Sequence, residues 1–401
     1  LAQTPERFSE SNFNNENHWK GQATVTFDDL LKYCVDQGAS DIHLHTGLPP
    51  HIRVNGSMKP LGGSPLTPAV TESFVAKMCN ERQQHTFAER NQVDLAYSVS
   101  GLGRFRVNLF RQRGTVSAVL RVINSDTSQL KKVNVPQPIM EFVANQKRGI
   151  VLVTGPTGSG KSTTLAAMLD RINEMRDDMI VTIEDPIEML HRSKKSVVVQ
   201  REIGTDAPSF ADALVAAMRQ DPDVIMIGEI RDHATASAAI SAAQTGHLVF
   251  STLHTMDTVR TINRVMELFP PHERETARTL FADSLVAVIS QRLLPRVGGQ
   301  GRVAALEILK GTLRAKDLIK DPERTGGLRD LIAESRADHM QLFDHHLSEL
   351  FADGQIDFDT AYSAATSPHE FKLMAQEAEA QRQIARATAI TPPSASATSV
   401  F

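Results

Sequence analysis

Two cysteines in 401 residues, Cys34 and Cys79, lie far apart and in no C-x-x-C. That scarcity argues against a disulfide framework or a zinc knuckle and fits a reducing cytoplasm. Aromatic residues are also few, 5% of the chain with a single Trp, and 43 Lys and Arg face 47 Asp and Glu for a formal charge of −4. A non-specific nucleic-acid binder needs a basic surplus and aromatic stacking platforms, so no specific nucleic-acid partner is expected. No apolar run approaches the roughly 18 residues of a membrane-spanning helix, and no secretory leader is visible. The chain opens on Leu1 rather than Met, and the expectation is a missing or processed N-terminus. With 41% hydrophobic and 22% charged residues, this length predicts two or three globular domains, each able to bury a core.

The densest information lies in Gly155-Pro156-Thr157-Gly158-Ser159-Gly160-Lys161-Ser162-Thr163. The run Gly149–Thr154 before it reads as a buried strand. The run after it reads as an amphipathic helix with Leu165, Met168, Leu169 and Ile172 on one face. Strand, glycine-rich turn and helix are the context that G-x-x-x-x-G-K-[ST] requires of a P-loop, or Walker A motif. Gly155, Gly158 and Gly160 let the backbone curl so that several N–H groups converge on phosphate oxygens, beside the positive end of the helix. Lys161 reaches the β- and γ-phosphates, and the Ser162 hydroxyl suits Mg²⁺. The chain therefore carries a site for a nucleoside triphosphate, ATP with Mg.

Around this loop the chain reads as five segments. Residues 1–23 are polar and expected to be disordered. Residues 24–124 predict a smaller α+β domain: a helix from Thr26 or Asp28 closed by Gly38, a strand with Ile42 and Leu44, and a hairpin at Asn55-Gly56. A helix over 68–89 and three strands, Val93–Val99, Arg104–Gln112 and Val116–Ile123, complete it. Residues 125–138 read as a linker, 139–375 as an α/β ATPase domain with C-terminal helices, and 376–401 as a helical extension fading into a disordered tail. In the fourth segment, helices are expected at 139–145, 258–266 and 271–293, the last with Leu285, Val288 and Ile289 on one face. A strand is expected over Arg302–Ile308, and a final helical stripe carries Met340, Phe343, Leu347, Leu350 and Phe351. His339, His345 and His346 read as solvated residues of that helix's polar face.

Three more buried strands supply candidate chemistry. Met179–Ile183 runs into Glu184-Asp185-Pro186-Ile187-Glu188, and Val224–Gly228 runs into Glu229-Ile230-Arg231-Asp232. Acids at the C-terminal ends of parallel strands sit where such sheets bind ligands. Glu229 has the Walker B character of an acid beside a bound metal, so Ser162 and Glu229 are the candidate metal ligands. Helix N-capping is the competing role for these acids, above all for Asp185 with Pro186 at a first helical position. The fourth strand, His247–Thr255, carries His247 and His254 at or near its ends, read as γ-phosphate sensors. Arg104, Arg106, Arg111 and Arg113 crowd the meander. They serve either as solvated strand edges or as arginines facing a phosphate bound elsewhere.

These motifs together resemble the secretion-type traffic ATPases, specifically the type IV pilus retraction (twitching motility) ATPases of the PilT/PilU group. The resemblance spans about residues 26–374. It rests on Gly38–Leu44, Gly103–Asn108, the P-loop, Thr182–Glu188, Gln200–Glu202, Asp221–Asp223, Gly228–Asp232 and Thr245–His247. It implies a PAS-like N-terminal domain joined to a RecA-like P-loop ATPase domain, working as a homohexameric ring in the cytoplasm. The ring would sit peripherally at the inner membrane against a pilus platform protein, with a paralogous retraction ATPase as a further partner. It implies Glu188 as catalytic base, Glu229 as Walker B acid, His247 and His254 as a histidine pair, and Arg104, Arg106 and Arg113 near nucleotide as candidate fingers. The four-cysteine insert usual in assembly and type II secretion ATPases is lacking, which favours retraction. The segment resembling the retraction group's Gly-Met-Gln-Thr reads Asp338-His339-Met340-Gln341-Leu342 without the Gly. Principal motor and accessory PilU-like paralogue therefore both stand as readings, with a secretion or conjugation export ATPase and a non-hydrolysing ring subunit as rivals.

Overall fold

Thr26 opens the first helix. Its hydroxyl accepts the Asp29 N–H while the Asp29 carboxylate accepts the Thr26 N–H, a reciprocal cap that satisfies two otherwise orphaned donors. The computed structural model describes residues 26–54, 56–123, 130, 133–299, 301–377 and 379. The expected disordered segment 1–23, Asn55, half of the linker and nearly all of the tail lie outside the described residues. The chain divides into two compact units, one reaching to Asp126 and taking in Glu188–Leu190, the other holding the remainder.

In the first unit, α1 (Phe27–Asp36) is followed by β1 (Asp41–His45), β2 (His51–Val54) and β3 (Ser57–Pro60). Then come α2 (Pro68–Met78), α3 (Glu81–Arg90), β4 (Gln92–Val99), β5 (Gly103–Gln112) and β6 (Thr115–Ile123). The strands form an antiparallel sheet in the order β3-β2-β1-β6-β5-β4. Val54 pairs with Ser57, closing the expected two-residue hairpin. The single helix expected over 68–89 is two. Asn80 interrupts it by capping α3 reciprocally with Gln83, because a short amide side chain competes for backbone N–H groups that a continuing helix would use. Phe105, Val107 and Leu109 are buried on one face of β5, which leaves the intervening arginines on the other. Burial pushes the Cys34 thiol up to about 12 and the Cys79 thiol up to about 11, so both are protonated packing residues rather than nucleophiles.

The second unit begins with α4 (Gln137–Ala144), β7 (Gly149–Thr154), α5 (Lys161–Met175), β8 (Met179–Glu184), β9 (Val197–Glu202) and α6 (Phe210–Ala217). It continues through β10 (Val224–Ile227), α7 (His233–Gln244), β11 (Leu248–Leu253), α8 (Thr258–Glu267), α9 (Arg274–Ser284), β12 (Leu285–Pro295) and β13 (Arg302–Lys310). It ends with α10 (Leu313–Lys320), α11 (Leu328–Glu334), α12 (Phe343–Ala352) and α13 (Phe358–Ala364). Its sheet runs β13-β12-β7-β11-β10-β8-β9, parallel except for the antiparallel β12–β13 pair. Every residue of β7, β10 and β11 is buried, which is why they read as unbroken apolar runs.

Two assignments from sequence change here. The edge strand β9 was not foreseen. The helix expected over 271–293 ends at Ser284, and Leu285, Val288 and Ile289 belong to β12, paired with β7. A short all-apolar run does not distinguish a buried strand from a buried helix face by period. The β-branched Val286, Val288 and Ile289 settle into the slot that β7 leaves open.

His346 is a third change. It is 7% exposed rather than solvated, and its Nδ1 accepts the Leu306 N–H of β13 at 2.9 Å. His339 is exposed, His345 is half-buried, and no cluster of three or more His, Cys, Asp or Glu able to hold a metal occurs among the described residues. Burial lowers the His346 pKa, so the folded chain holds the ring neutral. The unfolded chain therefore binds this proton more readily, and His346 costs stability as pH falls below the ordinary value of about 6.5, until its own lowered value is passed. His346→Ala leaves the Leu306 N–H without its acceptor and should destabilise the unit by about 1–3 kcal/mol at neutral pH. Urea unfolding at neutral and mildly acidic pH checks this, the difference from wild type shrinking in acid.

Candidate nucleotide site

The parallel strands of the second unit end together. Thr154 of β7 pairs with Leu253 of β11, and Ile227 of β10 pairs with Ser251 and Ile183. The phosphate loop, the Glu229 segment, His254 and the start of the acidic stretch therefore leave the same edge of the sheet. Gly155 has φ 147° and Gly160 φ 90°, conformations that side chains rarely adopt. A Cβ on Gly155 would lie 2.4 Å from the Gln291 carbonyl oxygen and 2.7 Å from Ser159 Oγ. The loop thus has no room for anything but glycine at its first position. Gly160 caps α5 without a side-chain hydrogen bond, so the first N–H groups of the helix are left for an anion. Lys161 is buried, and its Nζ donates to the carbonyls of Gly155 and Pro156 at 2.9 and 3.1 Å. Thr157, Gly158 and Ser162 are exposed at the loop's mouth, with Pro156 and Thr163 half-buried.

Glu229 follows β10, its side chain 13% exposed. One carboxylate oxygen forms an ion pair with Arg231, and the other lies 3.4 Å from His254 Nε2. Acid, arginine and histidine thus meet at the sheet edge from which the loop springs. His247 does not join them. Its carbonyl accepts the Gly149 N–H, at the opposite end of β11, and its Nδ1–H donates to the Ala242 carbonyl at 2.9 Å. At ~3.3 Å per residue the strand holds the two histidines roughly 20 Å apart. Within one chain His247 is therefore no sensor of a phosphate on this loop, which corrects the paired reading.

Asp185 caps no helix, since residues 185–192 form none. The backbone there is tied instead to β9: Glu202, buried, accepts the Ile187 N–H at 3.1 Å, and Gln200 accepts the His191 N–H at 2.8 Å. Gln200 also donates to Glu184 at 3.1 Å, as does the Thr182 hydroxyl at 2.7 Å. The sequence marks Gln200 and Glu202 only as matching letters, and the structure gives them work as braces of the segment that carries Glu188. Glu188 itself is exposed.

The arginines lie in the first unit. Arg106 is exposed and Arg104 half-buried, on the same side of β5, with Arg104 Nη1 donating to Ser98 Oγ at 3.3 Å. Arg111 is taken up by Glu72 at 2.7 Å and stacks on Phe87. Arg113 occupies the β5–β6 turn at φ 51° beside Gly114 at φ 80°. Nine residues of extended chain put it about 30 Å from Arg104, so one phosphate does not meet both in a single chain.

A phosphate loop, an uncapped helix N-terminus, a buried lysine and an acid gathered at the C-terminal edge of a parallel sheet define a P-loop nucleotide-hydrolase core. Comparison with known proteins narrows the class. The model of the type II/IV secretion system protein family matches residues 20–332, and the chain belongs to that family. It is 43% identical over 343 residues to the type IV pilus retraction ATPase PilT of Pseudomonas aeruginosa, covering 86% of this chain and 99% of that one. The type IV pilus ATPase PilU of the same organism is 39% identical over 350 residues, 87% of this chain and 91% of its own. The crystal structure of the pilus retraction motor PilT with bound ADP superposes with a TM-score of 0.78 at 41% identity, covering 86% of this chain and 98% of that one. The ATPase DotB of Legionella pneumophila gives a TM-score of 0.67 at 30% identity, over 83% and 93%.

Proposed function

We propose that this chain is a Mg-dependent ATPase motor that powers type IV pilus retraction, drawing pilin subunits out of the fibre as a homohexameric ring. The observation that carries the reading is an intact phosphate loop in a chain that matches a retraction ATPase along nearly its whole length. The first unit is read as the PAS-like domain and the second, to residue 375, as the RecA-like ATPase domain. The ring is read as cytoplasmic and peripheral at the inner membrane, turning a platform protein there. Among the described residues no helix is long and apolar enough to cross a membrane.

Lys161, the uncapped N–H groups that open α5 and the Gly160 N–H hold the phosphates. Mg²⁺ fits the donor set on offer, the exposed Ser162 hydroxyl and the Glu229 carboxylate. That ion binds through one or two protein oxygens plus phosphates and water rather than in an all-protein cage. Bound there, it neutralises charge on the phosphates. Glu188 takes a proton from the attacking water as its oxygen bonds to the γ-phosphorus. The bond to the ADP oxygen breaks, and phosphate leaves. His254 holds Glu229 in place, and Arg104, Arg106 or Arg113 completes a site as finger. Loss of the γ-phosphate releases that arginine, which turns chemistry into domain motion.

The likeness to PilU favours a second reading, an accessory retraction ATPase, and membership of the type II/IV secretion system family keeps export in view. Deleting the gene in its host and imaging labelled pili separates them. Many static pili, rescued by wild type and not by Glu188→Gln, are expected. Bald cells would mean assembly, and unchanged retraction an accessory or export role.

A further inference from the structure

Gln291 lies on β12, outside every motif by which the chain is recognised, yet the phosphate loop is built against it. It is 1% exposed. Its side-chain Nε2 donates to the Ser159 carbonyl, inside the loop. Its backbone oxygen occupies the space a Gly155 side chain would need, and its Nε2 stands 3.1 Å from where a Gly160 Cβ would be. Two of the loop's three glycines therefore answer to this one residue. The strand that presents it is fixed on both sides. Ser290 Oγ meets Thr154 Oγ1 at 2.7 Å, pinning β12 to β7, and the Arg292 guanidinium stacks 3.9 Å over Phe343.

A trans peptide is planar, with its C=O and N–H pointing opposite ways. The Ser159 carbonyl and the Gly160 N–H belong to one such peptide. A donor that holds the carbonyl outward turns the N–H inward, among the donors that face phosphate. We infer that Gln291 is a positioning residue for nucleotide binding: it orients the Ser159–Gly160 peptide so that the Gly160 N–H points into the phosphate cradle. Gln291 Oε1 is buried and accepts no hydrogen bond, so the amide is present for its donor alone. The inference rests on the loop being the nucleotide site and adds a residue to it.

Gln291→Met keeps length and removes the donor. Gln291→Glu keeps shape and sets a carboxylate against the Ser159 carbonyl. An N–H that binds phosphate equally in ground and transition states acts on KM and not on kcat. Gln291→Met should raise KM for Mg-ATP at least tenfold and weaken Mg-ADP in a calorimetric titration by a similar factor. Its kcat should stay within about twofold, and its melting temperature close to wild type. Gln291→Glu should be worse on both binding measures. A merely structural role lowers the active fraction, which cuts kcat and leaves KM alone. That result, or an unchanged KM, overturns the inference. Should the Met variant fail to fold, the Glu variant decides by the same KM criterion. A wild-type chain that binds no Mg-ADP overturns the assignment of the site itself.

Discussion

Lys161→Ala should abolish nucleotide binding for practical purposes, with Mg-ATP and Mg-ADP affinity falling on the order of 100-fold. A buried ammonium that hydrogen-bonds phosphate contributes about 1.5–3 kcal/mol, and its loss leaves phosphate charge facing backbone dipoles alone. Lys161 is buried at the first position of α5 with its Nζ turned back over the loop onto the carbonyls of Gly155 and Pro156. It is thus aimed at the volume the loop encloses before any ligand arrives. Calorimetric titration of the variant checks this, with a melting curve to show that it is folded. Affinity within twofold of wild type would remove Lys161 from the site.

Glu188→Gln should have the opposite signature. Binding should stay within about threefold of wild type while turnover drops on the order of 100- to 10,000-fold, the range a positioned general base supplies. The substitution preserves size and shape and removes the charge, and with it the ability to take a proton. The segment before it is braced by Glu202 on the Ile187 N–H, which holds the backbone that leads into residue 188. Steady-state phosphate release beside equilibrium binding tests the pair of expectations. Hydrolysis at the wild-type rate would remove Glu188 from the base role. A matching loss of binding would make it a residue of ground-state recognition instead.

Much of the site was legible because its parts are local. The P-loop needs a strand, three glycines, a lysine and a helix start within about fifteen consecutive residues, and each constraint is written where it acts. Glu229 is legible because a four-residue apolar strand ends two residues before it, with only Gly228 between. The histidines were legible as residue types but not as positions. A strand's length fixes how far apart its ends lie, and that length carried His247 to the opposite edge from the loop.

What the sequence by itself determined is the chemistry of the nucleotide loop and the antiparallel-then-parallel order of the chain. Both follow from turn residues and from periods short enough to be seen along the backbone. The tertiary structure alone decided what packs against that chemistry. Residues 285–295 became a strand because β7 had an open side. Gln291 reached the loop only through that pairing, and Gln200 and Glu202 became braces only through β9. His346 was buried only because β13 lay across it. Each of these turns on a partner in another element, and a segment's apolar period shows that it is buried without naming what buries it.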